Sequence, residues 1–229
     1  MTESKNNREP QVLPKSKKDI IKWLTIFNSA AILVIVAFLG YMYFFMTPRN
    51  QPSRDSDQAR VNHVDMGPIL EGATYTGALN PKVNIVIFNS FTCGYCRKSS
   101  PVLNQVLKKY PDKVRLVYRH FIRNEVDLAA ANAAECAGEQ NKFWQMHDQI
   151  FGDSTNEFNY KLYAQNIGIN VDQFNKCQAS NKYTNKARAD SEMGQQLGVQ
   201  GTPTFVINGE VLVGYRPFEA FDALVKKDL

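Results

Sequence analysis

Two cysteines three positions apart, in Phe91-Thr92-Cys93-Gly94-Tyr95-Cys96-Arg97-Lys98, have the spacing for redox chemistry. A disulfide needs its sulfurs within bonding distance, and cysteines so spaced in the first turn of a helix can meet that geometry. The apolar, β-branched run before them and the helical spacing after them place Cys93 at a helix N-terminus. Unpaired N–H groups and the positive end of the helix dipole there favour a thiolate, so Cys93 is expected to be the nucleophile. Arg97 and Lys98 add positive charge close by. Cys96, nearly a turn deeper, is then the resolving thiol.

Cys136 and Cys177 are the other two cysteines, and both fall in a stretch of helical pattern. In an oxidising compartment an even count suggests two bridges, and the active-site spacing leaves these two for each other as a structural disulfide. A second redox pair and two buried free thiols are the competing readings. His63 lies in a polar linker and reads as solvated, while His120 and His147 sit in apolar patterns and read as packing residues. Cys93 and Cys96 could be soft ligands of a metal carrier, but a closed zinc site wants four ligands and no second pair supplies them. No metal and no cofactor are expected.

Val83-Asn84-Ile85-Val86-Ile87-Phe88, running straight into the cysteines, has the length and composition of a strand buried on both faces. Residues 99–109 have helical spacing around Pro101, which should kink the helix. Val114 to Phe121 reads as a second strand. Strand, helix and strand in this order form a βαβ unit with parallel strands. Residues 124–197 are helical in pattern throughout. Strand composition resumes in Gly201-Thr202-Pro203-Thr204-Phe205-Val206-Ile207, and Asn208-Gly209 predicts a hairpin into Val211-Leu212-Val213. Residues 218–229 give a last amphipathic helix. The fold class is α/β, and 66–81 is a lead-in with at most one short strand.

Upstream lie a polar tail over residues 1–19, a predicted transmembrane anchor over 20–46 and a linker over 47–65 before the domain of 66–229. The uncharged run from Trp23 to Met46 is long enough to span a bilayer. It ends in Tyr41-Met42-Tyr43-Phe44-Phe45, an aromatic belt, where a cleaved signal, the competing reading, would end in small residues. Lys15, Lys17, Lys18 and Lys22 before the span put the tail in the cytoplasm and the domain outside it, on a single-pass cell-membrane protein. The net charge of +5 has much of its basic excess in the N-terminal segment, so no nucleic-acid partner is implied.

In order along the chain, Cys93-Gly94-Tyr95-Cys96 after a strand, Pro101, Phe143-Trp144-Gln145-Met146-His147-Asp148 and Gly201-Thr202-Pro203-Thr204 resemble the DsbA-like thiol:disulfide oxidoreductases of bacterial envelopes. The resemblance covers about residues 66–229. It implies a thioredoxin fold with an all-helical insert over about 124–197, catalysis by Cys93 and Cys96, and a structural disulfide such as some relatives have. It also implies a cis Pro203 beside the cysteines, with Thr202, Pro203, Gly94 and Tyr95 meeting the substrate chain; the competing reading of Pro203 alone is a turn. Many members carry a buried carboxylate six residues before the first cysteine, where this chain has Ile87, so no side-chain base for Cys96 is identifiable.

Gly94-Tyr95 resembles the dipeptide of the isomerase DsbC rather than that of the oxidase DsbA. A DsbC-type isomerase, however, carries a dimerisation domain for which residues 47–65 are too short. The expected function is therefore an oxidase of DsbA type, with a DsbC-like isomerase or reductase as the alternative and the metal carrier more remote. A non-catalytic thioredoxin-like module would need neither active-site cysteine. Expected partners are reduced or unfolded secreted proteins and a membrane redox partner. That partner would be of the DsbB or vitamin-K-epoxide-reductase (VKOR) type for an oxidase, or an electron donor for a reductase.

Overall fold

The computed structural model describes residues 35–44 and 63–229. Residues 35–44, within the expected anchor, form a helix, α1, with an exposed surface. Among the described residues no helix is long and apolar enough to cross a membrane. The tail, the rest of the 20–46 segment and the linker up to residue 62 lie outside the described residues. Residues 63–65 belong to the domain instead: Val64 is buried, and its N–H donates to the Gly209 carbonyl at 2.9 Å. His63, expected to be solvated, lies with its ring against Gly209.

A five-stranded sheet in the order β1-β3-β2-β4-β5 carries the site. Its strands are β1 Thr74–Gly77, β2 Val83–Asn89, β3 Val114–His120, β4 Thr204–Ile207 and β5 Glu210–Val213. The β2–β3 pair is parallel, as the βαβ pattern requires, and the other pairs are antiparallel. Parallel strands need a crossover, which α3, Gly94–Lys109, provides. Asn208 and Gly209 both have positive φ, 45° and 96°, as a tight two-residue hairpin turn demands.

Both faces of β2 are buried, which is why its sequence is continuously apolar rather than alternating. Ile85 and Ile87 face α3, the C-terminal helix α9 (Phe218–Lys227) and the insert. Val86 and Phe88 face the other way, toward α2 (Met66–Leu70) and the end of α8 (Thr184–Gln196). Each such fully buried side chain contributes about 1.5–3 kcal/mol. A Cβ on Gly194 of α8 would come within 2.9 Å of the Phe88 ring, so a glycine there lets the helix lie close on the sheet.

The helical insert holds α4 (Glu125–Gly138), α5 (Phe143–Gly152), α6 (Tyr160–Asn166), α7 (Val171–Ala179) and α8. Ala130, Ala131, Ala133, Ala134 and Ala137 make α4 thin and wholly buried along their faces, so α5, α7 and α8 pack closely around it. A buried ion pair ties insert to sheet: Arg119 of β3 donates to Asp190 of α8 at 2.6 Å and also to the Ile69 carbonyl at 3.2 Å. Burying those charges is tolerable because each finds partners.

Candidate active site

The loop between β2 and α3 is fixed from outside itself. Asn124 caps α4, accepting from the Asp127 N–H at 2.9 Å, and this sets Asp127 in the helix's first turn. The buried Asp127 carboxylate then accepts from the Ser90 hydroxyl at 2.9 Å, the Thr92 N–H at 2.9 Å and the Arg123 N–H at 3.1 Å. Sequence reasoning missed Asp127 and Ser90. The available signal was Asn124-x-x-Asp127 before an alanine-rich helix, a start pattern that places a carboxylate near backbone donors.

Held by this loop, Cys93 occupies the N-cap of α3 with extended backbone, and its N–H donates to the Ser90 carbonyl at 3.2 Å. Its side chain does not cap the helix. Both Cys93 and Cys96 are free thiols; Cys93 is 5% exposed and Cys96 fully buried. The two titrate as a pair with opposite shifts. The Cys96 thiol, donating to the Cys93 sulfur, is the largest cause that brings Cys93 down to about 5, against a smaller opposing effect of burial. The Thr202 side chain and the N–H groups of Cys96 and Tyr95 lower it further. Burial pushes Cys96 far up, and its hydrogen bond to Cys93 holds its proton in place.

The helix N-terminus thus contributes, as expected, but less than the second thiol. Arg97 and Lys98 are not among the main causes. Arg97 instead turns to the end of α5, donating to the Phe151 carbonyl at 2.9 Å and the Asp153 carbonyl at 2.8 Å. Lys98 lies over the Tyr95 ring, 5.5 Å from its centre.

Across from the cysteines runs the segment before β4. The Thr202–Pro203 peptide bond is cis, and the Cys93 thiol donates to the Thr202 carbonyl at 3.3 Å. Among the described residues the Thr202 hydroxyl oxygen is buried without a hydrogen-bond partner, so its proton can turn toward a Cys93 thiolate. Gly94 and Tyr95 are exposed, Tyr95 by 61%. Cys93, Cys96, Thr202 and Pro203 therefore converge, with Gly94 and Tyr95 forming the outer surface beside them.

Cys136 of α4 and Cys177 of α7 are bonded to each other, with Cα atoms 5.8 Å apart, and so form a pair separate from the active-site cysteines. His147 is buried among Phe91, Trp144 and Phe151 rings and pairs through Nδ1 with Asp148 at 2.8 Å. His120 pairs with Glu135 at 3.0 Å. Among the described residues no three His, Cys, Asp or Glu side chains gather as metal ligands.

Residues 70–227 match the thioredoxin family model. "Probable disulfide bond formation protein D" of Bacillus anthracis is 31% identical over 162 residues, 64% of this chain and 74% of that protein. A thioredoxin-like oxidoreductase of Silicibacter pomeroyi superposes with a TM-score of 0.62 at 28% identity, covering 68% of this chain and 91% of that one. "Na(+)/H(+) antiporter NhaA 3" of Salinispora tropica is 32% identical over 154 residues, 65% of this chain. The chain spans only about a quarter of the length of that antiporter-named relative, 24%.

Proposed function

Since the chain belongs to the thioredoxin family, in its DsbA-like branch, we propose that it is a thiol:disulfide oxidoreductase acting on proteins through Cys93 and Cys96. The observation that carries this reading is geometric: two free thiols three positions apart, Cys93 at the N-cap of α3 with its sulfur 3.3 Å from the Thr202 carbonyl beside the cis Pro203, and Cys96 fully buried behind it. Cys93 is held at about 5 and is a thiolate at neutral pH, while buried Cys96 keeps its proton. Thiolate Cys93 attacks a disulfide, or the disulfide of the pair is attacked at its sulfur, and Cys96 closes or opens the intramolecular bond. The Thr202 carbonyl beside Cys93, Pro203, and exposed Gly94 and Tyr95 form the wall on which an extended client chain lies.

The direction proposed is oxidation. A stabilised thiolate makes the reduced form more stable and the disulfide more oxidising. The Cys136–Cys177 bridge, which cytosolic reductants would not spare, supports an extracytoplasmic domain, held at the membrane by the segment over residues 20–46. Clients are reduced secreted or envelope proteins, and re-oxidation falls to a membrane partner of DsbB or VKOR type.

Equilibration of the full chain against glutathione buffers tests the direction. The expected potential lies between about −120 and −220 mV, the range spanned by strong and moderate protein oxidants. A value more negative than about −250 mV would mark a thioredoxin-like reductant and overturn the oxidase reading.

A further inference from the structure

Three elements meet at the Cys93 sulfur, and each brings a cation to the rim. Lys98 is exposed on α3, one turn beyond Gly94, with its ammonium 5.5 Å from the centre of the Tyr95 ring. Arg123 belongs to the connection from β3 to α4. Its N–H and that of Thr92 donate to the two oxygens of one carboxylate, Asp127, at 3.1 and 2.9 Å, which sets its backbone beside the residue preceding Cys93. Asn124, next in sequence, donates to the Thr92 hydroxyl at 3.3 Å.

Arg216 comes from the third side. The Gly214 N–H donates to the Pro203 carbonyl at 2.8 Å, which carries the connection between β5 and α9 past the cis peptide bond. Arg216 follows two residues on, its Nη1 donating to the Tyr215 carbonyl at 3.0 Å. Lys98 and Arg123 are exposed and Arg216 is half-buried. Among the described residues none of the three pairs with a carboxylate, whereas Lys109, Lys182, Lys226 and Lys227 elsewhere on the surface all do.

The carboxylates of these elements do not cancel the three cations. Asp127 is buried and both its oxygens are taken. Glu125, in the first turn of α4, lies 3.7 Å from Arg188. Glu157 and Glu219 stand farther out, one beyond the Asn156 that Arg97 reaches and the other in the first turn of α9. We propose that Lys98, Arg123 and Arg216 form a rim that selects client chains with acidic residues flanking the reacting cysteine. The proposal rests on the thiol-exchange reading of the site and names its substrate class. An extended client lying on Thr202 and Pro203 passes among the three cations, so carboxylates within a few residues of its cysteine meet them.

Exposed charges of this kind act weakly one by one, and chiefly on encounter and on the choice of partner. The rim is most cationic in the disulfide form, because a bonded Cys93 sulfur carries no charge. In the first exchange a client thiol gives its proton to solvent and its sulfur bonds to Cys93. The Cys93–Cys96 bond breaks with its pair on Cys96, which takes up a proton. A second client thiolate then bonds to the first client sulfur, and Cys93 leaves with the pair as a thiolate. The client is oxidised by two electrons and the Cys93–Cys96 pair reduced by two. The new negative charge inside the rim weakens its hold on an acidic product.

The disulfide form of the full chain is mixed with short peptides carrying one cysteine flanked by Glu, Gln or Lys, and loss of the Cys93–Cys96 bond is followed. Each rate is divided by that of the same peptide with the neutral 2-hydroxyethyl disulfide, which removes the effect of flanking charge on the thiol's own reactivity. The normalised rate for Glu peptides should exceed that for Lys peptides at least about fivefold at about 0.01 M salt. At about 1 M, where the screening length falls to about 3 Å, the ratio should drop below about 2. Lys98→Gln, Arg123→Gln and Arg216→Gln together should bring the low-salt ratio to about 1. Lys82, Lys108 and Lys113 stand at the other end of the sheet, before β2, at the end of α3 and before β3. Their triple Gln variant loses the same charge and should keep the ratio. Equal normalised rates for Glu and Lys peptides in the parent, or the same ratio in both triple variants, would overturn the rim. A chain whose disulfide no peptide reduced would instead overturn the thiol-exchange reading.

Discussion

The Ser90 hydroxyl lies 2.9 and 3.0 Å from the two carboxylate oxygens of Asp127, so a residue of the helical insert holds the loop that carries the nucleophile. The Thr92 N–H, one residue before Cys93, bonds to the same carboxylate. The insert is thereby part of the catalytic machinery's support and not an appendage to the thioredoxin core.

Asp127→Ala would strand the Thr92 and Arg123 N–H groups and leave the Ser90 hydroxyl only its longer 3.3 Å contact with the Thr92 hydroxyl. At about 1–3 kcal/mol for a stranded buried group, softened where water can enter, the expected loss of stability is about 2–4 kcal/mol. Thiol exchange should slow as the loop loosens. Asn at 127 keeps one acceptor oxygen and should lose less. Chemical denaturation of the three proteins, with glutathione exchange rates beside it, is the measurement; an alanine variant as stable as the parent would show the carboxylate to be dispensable.

The depressed Cys93 titration makes the reduced form's stability depend on pH. A free thiol titrates near ~8.5, whereas Cys93 in the folded protein titrates at about 5. The contribution is fully present above the unfolded value and is lost as pH falls through about 5. Melting of the reduced form relative to the disulfide form should therefore rise from pH 5 toward pH 8.5. Over that window one proton accompanies two electrons, so the potential should fall by about 30 mV per pH unit, and by about 60 below it. A slope of about 60 throughout neutral pH would mean that Cys93 is not a thiolate there.

The sheet was legible because its strands announce themselves: Val83 to Phe88 is apolar at every position but Asn84, and Asn208-Gly209 fixes one hairpin by backbone conformation alone. Spacing also places Cys93 at a helix start. What the sequence hid was long-range. Nothing local tells that Asp127 reaches Ser90, 37 positions earlier, or that Arg97 spends its charge on the carbonyls ending α5 rather than on Cys93. The short helix α2 was also missed, since Gly67 and Pro68 argue against it and its buried Ile69 together with Arg119 holds it in place.

The insert's disulfide closes a loop with a sequence separation of 41 between Cys136 and Cys177. On the chain-entropy model such a crosslink stabilises by about 4 kcal/mol, an upper figure. Replacing both cysteines with serine should lower the melting temperature clearly while leaving the thiol-exchange rate of Cys93 within about twofold, since α4 and α7 keep their packing. Peptide mapping of the resting protein supplies the second arm. Finding either residue bridged to Cys93 or Cys96 would make the outer pair redox-active and end the structural reading.

The order of events at the active site is open to a direct trap. With Cys93 the thiolate and Cys96 the protonated, fully buried partner, only Cys93 can form the first bond to a client. Cys93→Ser should abolish turnover and capture nothing. Cys96→Ser should still react but lack the thiol that closes the exchange, so covalent client complexes should accumulate and dissolve on adding reductant. The two variants therefore differ in kind and not only in degree. Non-reducing gels of cells expressing each variant read the outcome directly. Equal trapping by the two would mean that Cys96 also meets clients, which its burial beneath the first turn of α3 forbids in this structure.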